Sequence, residues 1–270
     1  MKTVLFIYGT RPEAIKMAPL IKELQKYPDL FTVKICLTGH IADYHFAPTS
    51  RAVENLKREG ITQKVHMVGN TVIDALHLGL SIIKRENRQK YAEFFSWLDL
   101  SKKIILVTGH RRESFGDGFE NICKAIAYIA REYSGVQFVY PMHLNPNVRE
   151  PINRILKNIN NVFLIEPLDY PCLIWLMEKT YFVLTDSGGI QEEAPAFGKP
   201  VLVMRNVTER QEGIDAGTAK LAGTQYESLV ASMKDLLGNT QIYSAMANAV
   251  NPYGDGHTAE RIAEILIHEK

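Results

Sequence analysis

Lys103-Ile104-Ile105-Leu106-Val107-Thr108-Gly109-His110-Arg111-Arg112-Glu113 is the stretch on which the fold turns. An unbroken run of branched apolar residues suits a strand buried on both faces, as in a parallel sheet covered by helices. The glycine after it suits a tight exit turn, and a histidine and two arginines follow at once. Similar apolar runs recur downstream at 136–140, 162–165, 181–184 and 200–203. Between them the apolar residues take helical spacing, near 118–132, 147–157, 169–178 and 187–196. This alternation predicts a doubly wound α/β sheet over 103–250. Further helices are expected near 225–237 and 257–268.

Upstream the pattern is the same but thinner. Residues 3–8 and 32–36 read as strands, with a helix from Pro12 to Tyr27 between them. Residues 37–50 form a brief apolar segment ending in a helix over 51–59, which Thr49 or Ser50 can cap. A strand at 64–68 and a helix over 71–84 follow. Residues 85–102 are polar and charged, which predicts an inter-domain connection. The expected organisation is a Rossmann-like N-terminal domain (1–84), the connection, a second Rossmann-like domain (103–250), and a tail (251–270) whose helix packs back on the first. With only about four strands the first domain reads as incomplete, and well-ordered structure is expected mainly from residue 85 onward.

Composition narrows the partners. Hydrophobic residues make up 46% and charged residues 23%, which fits a globular chain. With 31 basic and 30 acidic residues there is no net field for nucleic acid or a membrane, so an anionic ligand needs local groups. No apolar run approaches the ~20 residues of a membrane span, and the N-terminal run lacks a cleavage site, so a cytoplasmic protein is expected. Cys36, Cys123 and Cys172 have no metal-ligand spacing and read as small buried hydrophobes.

Three strand ends carry the chemistry. Gly9-Thr10-Arg11-Pro12-Glu13 joins a strand to a helix start, where free backbone N–H groups bind anions, and Arg11 and Lys16 add cationic donors. In Asp186-Ser187-Gly188-Gly189-Ile190-Gln191-Glu192-Glu193, two glycines admit a ligand close to the backbone. Ser187 can cap the helix and bind a phosphate, and Glu193 can accept a pair of ribose hydroxyls. Thr108-Gly109-His110-Arg111 is the third, with His143 at a similar strand end and Arg210 within possible reach. Together they predict an anionic, nucleotide-bearing ligand held between two Rossmann-like domains. No G-x-G-x-x-G, Walker or H-E-x-x-H pattern is present, so nicotinamide, ATP and zinc chemistry lack support.

The strings GTRPEAIKMAPL (9–20), GNTVIDAL (69–76), TGHRRESFG (108–116), YPMHLNPNVREPINRIL (140–156), LTDSGGIQEEAPAFGKPVLVMR (184–205) and NPYGDG (251–256) resemble the bacterial non-hydrolysing UDP-N-acetylglucosamine 2-epimerase family. The resemblance implies a glycosyltransferase-B-like fold, and interconversion of UDP-N-acetylglucosamine and UDP-N-acetylmannosamine by elimination and re-addition of UDP. It implies no metal or redox cofactor, the substrate itself as an activator, a homodimer, and a role in polysaccharide synthesis. It marks Arg11, Lys16, Leu168, Leu173, Ser187, Gly188, Gly189, Glu193 and Arg210 as substrate-binding positions and His110 as the catalytic histidine. Arg111 and His143 match activator positions.

The chain departs from the family pattern at one junction. Cys36 runs directly into Leu37-Thr38-Gly39-His40, where relatives carry roughly a hundred further residues, the size of a small domain. By resemblance, those residues supply the family's catalytic Asp and Glu. Smaller departures are Leu173, where relatives often place Phe, and Gln211, where they often place Pro. Two other readings stand beside an active epimerase: an inactive UDP-sugar-binding protein, and a hexosyltransferase of the same fold.

Overall fold

The computed structural model describes residues 2–7, 11–36, 43–85, 88–111 and 116–268, without the side chains of 2, 3, 5–7, 11–16 and 33–36. It divides into two compact units: residues 1–82 with 252–270, and residues 83–251.

In the N-terminal unit, β1 (Lys2–Ile7) pairs in parallel with β2 (Phe31–Cys36) across α1 (Arg11–Leu24). A second parallel pair, β3 (His45–Ala47) and β4 (Val65–Met67), is joined through α2 (Ser50–Arg58). Thr49 is the cap of α2, its hydroxyl accepting from the Ala52 N–H at 3.2 Å. Leu20, Leu24, Phe31 and Val68 pack against Ala259, Ile262, Ala263 and Leu266 of the last helix, α12 (Thr258–His268). The N-terminal unit therefore has an apolar cluster whose second half is supplied from residues 259–266.

The motifs at 69–76 and 251–256 form the clasp that brings this about. Asn70 donates its backbone N–H to the Tyr253 carbonyl at 2.7 Å and caps α3 (Thr71–Arg85) through Val72 at 3.1 Å. The buried Asp74 accepts the Ala259 N–H at 2.7 Å, at the start of α12.

The C-terminal unit is a six-stranded, wholly parallel sheet. Its strands are β5 (Lys103–Thr108), β6 (Val136–Pro141), β7 (Val162–Ile165), β8 (Phe182–Thr185), β9 (Val201–Val203) and β10 (Ala219–Leu221). They lie in the order β10-β9-β8-β5-β6-β7, the doubly wound order whose direction reverses between β5 and β8. Ile104–Val107 are at most 1% exposed, as the apolar run required. Ile105, Phe138, Phe182 and Leu202 belong to one core with α5 (Asp117–Glu132), α6 (Pro146–Leu156) and α10 (Tyr226–Gly238).

The polar stretch 85–102 is more than a connection. It contains α4 (Arg88–Phe94), and Tyr91, Phe95 and Leu98 are buried. Phe95 stacks on Trp175 of α7 (Tyr170–Lys179) at 4.8 Å between centroids. Tyr91 lies on α4, and Phe95 and Leu98 in the turn after it, so a few apolar anchors are buried among the charges around them. No helix among the described residues is long and apolar enough to cross a membrane.

Cys123 lies in the core of this unit, and burial pushes its thiol up to about 12. Since the thiolate is the nucleophile, Cys123 should resist alkylation in the native protein at pH 8 and react only in denaturant. Residue-resolved mass spectrometry with iodoacetamide checks this.

Candidate functional site

The site grows from the point where the sheet reverses. β5 and β8 end level, Thr108 opposite Thr185, with their hydroxyls 2.6 Å apart. The Thr185 hydroxyl also accepts the Ser187 N–H at 2.9 Å, which turns the chain sharply out of the strand. Between the two strand ends stands Asp186, 2% exposed. One of its oxygens, Oδ2, accepts the backbone N–H of both His110 and Arg111 at 2.7 Å. From below, the buried Tyr140 hydroxyl donates to the Gly109 carbonyl at 3.0 Å. A Cβ at Gly109 would meet that hydroxyl at 2.9 Å, so glycine is needed for the backbone to approach so closely. Burial raises the Tyr140 hydroxyl well above its ordinary pKa, which keeps it the donor.

His110 projects from this turn with its side chain 46% exposed, and stacks on His143 at 5.1 Å between ring centroids. His143 stands just past the end of β6 and accepts the Asn145 N–H on Nδ1 at 3.1 Å. Arg111 approaches Glu209 at 3.4 Å, and Glu209 also takes an ion pair from Arg205 at 2.6 Å. The same Glu209 oxygen that faces Arg111 lies 3.1 Å from where a Cβ on Gly188 would stand. A carboxylate thus rests beside the paired glycines, between the guanidinium groups of Arg111 and Arg205.

Beyond the glycines the short helix α8 (Gly188–Glu193) is almost wholly buried, including Gln191, Glu192 and Glu193. Glu192 accepts from Arg210 Nε at 2.6 Å, and the Thr208 hydroxyl donates to Gln191 at 2.7 Å. Glu193 accepts from the Tyr170 hydroxyl at 2.8 Å, and burial followed by this carboxylate pushes that hydroxyl's pKa up. Ser187 occupies the N-cap position, but its side chain makes no capping bond, against the expectation that it caps the helix. The Asp186 and Thr185 side chains hold the turn instead.

The structure thus brings together His110, Arg111, His143, Ser187, Gly188, Gly189 and Arg210. Glu193 follows at the end of the same helix, 7% exposed. Leu168 is half-buried in the loop before α7, and Leu173 is half-buried in the first turn of α7. Arg11 and Lys16 lie in the first turns of α1, and their side chains fall outside the described residues, as do Tyr8–Thr10, the Leu37–Ala42 side of the junction after Cys36, and 112–115. Asp186 and Tyr170 are the residues that sequence reasoning missed. The signal for Asp186 was a charged residue placed directly after a fully buried strand end; Tyr170 carried none beyond its place behind the helix cap Asp169.

Comparison with known proteins fits this geometry. A family model described as UDP-N-acetylglucosamine 2-epimerase matches residues 36–267, so the match begins at the Cys36–Leu37 junction. A UDP-N-acetylglucosamine 2-epimerase from Yersinia pestis is 53% identical over 233 residues, 85% of this chain and 62% of the relative. The chain therefore spans less than two thirds of the length of that relative. Among solved structures, a Neisseria meningitidis UDP-GlcNAc 2-epimerase bound to UDP-GlcNAc superposes with a TM-score of 0.91 and 34% identity, over 99% of this chain and 100% of that one. A Staphylococcus aureus MnaA–UDP co-structure gives 0.88 and 33%, over 98% and 96%. These neighbours bear out the α/β, glycosyltransferase-B-like class that the motifs implied. Since the family model covers most of the residues, from the strand-end turns around His110 and Ser187 to the closing clasp, the chain belongs to the UDP-N-acetylglucosamine 2-epimerase family.

Proposed function

We propose that the chain binds UDP-N-acetylglucosamine at the reversal between β5 and β8 and interconverts it with UDP-N-acetylmannosamine. One observation carries this reading: Asp186 pins the His110–Arg111 turn directly beside the Ser187-Gly188-Gly189 turn, where open α/β sheets take their ligands. The Neisseria relative holding UDP-GlcNAc and the Staphylococcus relative holding UDP support it.

The C2 proton of the sugar is weakly acidic. Removing it and expelling UDP from C1 gives an unsaturated sugar, and re-adding UDP with a proton delivered to the opposite face inverts C2. The electrons balance without an external oxidant, so we assign no redox cofactor; we also assign no metal. The requirements are acid–base groups at C2 and donors around the departing diphosphate. In this assignment Ser187, Gly188, Gly189 and Arg210 hold the diphosphate with Arg11 and Lys16. Glu193 takes the ribose hydroxyls, Leu168 and Leu173 flank the base, and His110 stands at the reacting end. Arg111 and His143 are assigned to a second, activating UDP-sugar. A cytoplasmic homodimer serving polysaccharide synthesis completes the proposal.

The second reading, UDP-sugar binding without turnover, is favoured by one fact: the chain spans 62% of the length of its Yersinia relative. Proton NMR in D2O with UDP-N-acetylglucosamine separates the two. UDP-N-acetylmannosamine carrying deuterium at C2 is the expected product of an epimerase. Saturable UDP binding with no exchange establishes the second reading, and absence of both overturns each.

A further inference from the structure

We propose that Asp186 is a positioning residue that fixes the tautomer of His110, holding the ring proton on Nδ1 and turning the Nε2 lone pair outward to the ligand. The inference rests on the reading of His110 as the site histidine, but its test does not require turnover. Asp186 is 2% exposed, and its Oδ2 is committed to the backbone N–H groups of residues 110 and 111. The other oxygen, Oδ1, is fully buried with no hydrogen-bond partner among the described residues. A buried carboxylate oxygen without a donor is costly, so the structure has reason to supply one. A candidate among the described residues is His110 Nδ1, 3.7 Å from Oδ1. Closing that gap to an ordinary N–H···O bond takes a ring movement of about 1 Å, open to a side chain as exposed as this one.

The surroundings favour the same hand. Because the carboxylate can only accept, the ring nitrogen facing it must carry the proton. Stacking against His143 restrains the His110 plane, and His143 keeps its own Nδ1 as an acceptor for Asn145 N–H. The geometry is that of a carboxylate orienting an imidazole from behind, where a carboxamide imposes the wrong tautomer.

The test is long-range proton–nitrogen NMR of protein labelled with 15N-histidine at pH 8, with His110→Gln used to assign the ring. The unsubstituted protein is expected to show His110 with a protonated, pyrrole-type Nδ1 and a pyridine-type Nε2. In Asp186→Asn the amide oxygen can keep the two backbone bonds while the NH2 faces the ring, so the two nitrogen signals should exchange character. A protonated Nε2 in the unsubstituted protein, or unchanged signals in Asp186→Asn, would overturn the proposal. If Asp186→Asn does not fold, the spectrum of the unsubstituted protein decides alone. UDP titrated into the same sample keeps the issues separate. Failure to bind UDP removes the functional reading, whereas a wrong tautomer removes only this inference.

Discussion

Gly69→Val should lower the melting temperature of the N-terminal unit by more than about 10 °C and leave the C-terminal unit's transition in place. Two costs combine at this position. The backbone has φ +101°, a region where side chains are strained by about 1–3 kcal/mol. A Cβ there would also stand 2.7 Å from the Thr258 hydroxyl, and Thr258 is 0% exposed and cannot swing aside. Overpacking of that kind costs a further 1–3 kcal/mol or so. The position joins the Asn70–Tyr253 and Asp74–Ala259 bonds, so the strain falls on the seam that attaches α12. Gly60→Ala is the matched control: its φ is +82° but nothing lies within 4 Å, leaving strain alone, about 1 kcal/mol. Differential scanning calorimetry of both variants measures the contrast. Equal shifts would mean that the contact with Thr258 contributes nothing.

Arg210→Ala should weaken UDP binding by about 30-fold or more, the loss expected on removing a cation that faces an anionic ligand. Its guanidinium carbon lies 3.6 Å from the space over Gly188, and its Nε holds the buried Glu192 at 2.6 Å. Alanine therefore removes a cation from the ligand's side and leaves the Glu192 carboxylate one donor fewer. Arg210→Lys separates the two effects. It restores charge but not the planar fork, so affinity should recover only in part. Calorimetric titration with UDP, alongside thermal unfolding, measures both. Unchanged affinity in Arg210→Ala would remove this arginine from the site.

The sheet of the C-terminal unit was readable because β5 to β9 are predominantly apolar runs of strand length. The three-residue strands His45–Ala47 and Ala219–Leu221 escaped, whereas Val65–Met67 and Val201–Val203, equally short, were read because further apolar residues adjoin them. The short helices α9 (Gln211–Asp215) and α11 (Thr240–Ala247) were missed for a like reason, and α4 was hidden by its charges. At the site, glycine turns and cationic side chains announced themselves by type. What Asp186 does could not be read, because its two amide partners lie 75 and 76 residues earlier in the chain. A contact of that range exists only once the strand order has placed two ends side by side.

The clasp at residues 69–76 and 251–256 also bears on how the protein is made. Leu20, Leu24 and Phe31 leave the ribosome early, yet the helix that covers them begins at Thr258. While residues 83–251 are being translated, roughly 10–30 s at usual elongation speeds, that half-core has no helix to cover it. The sheet between can close on itself as soon as it emerges, because its partners are its own neighbours in the chain. The unit that begins before the sheet is thus completed only after the sheet has been made.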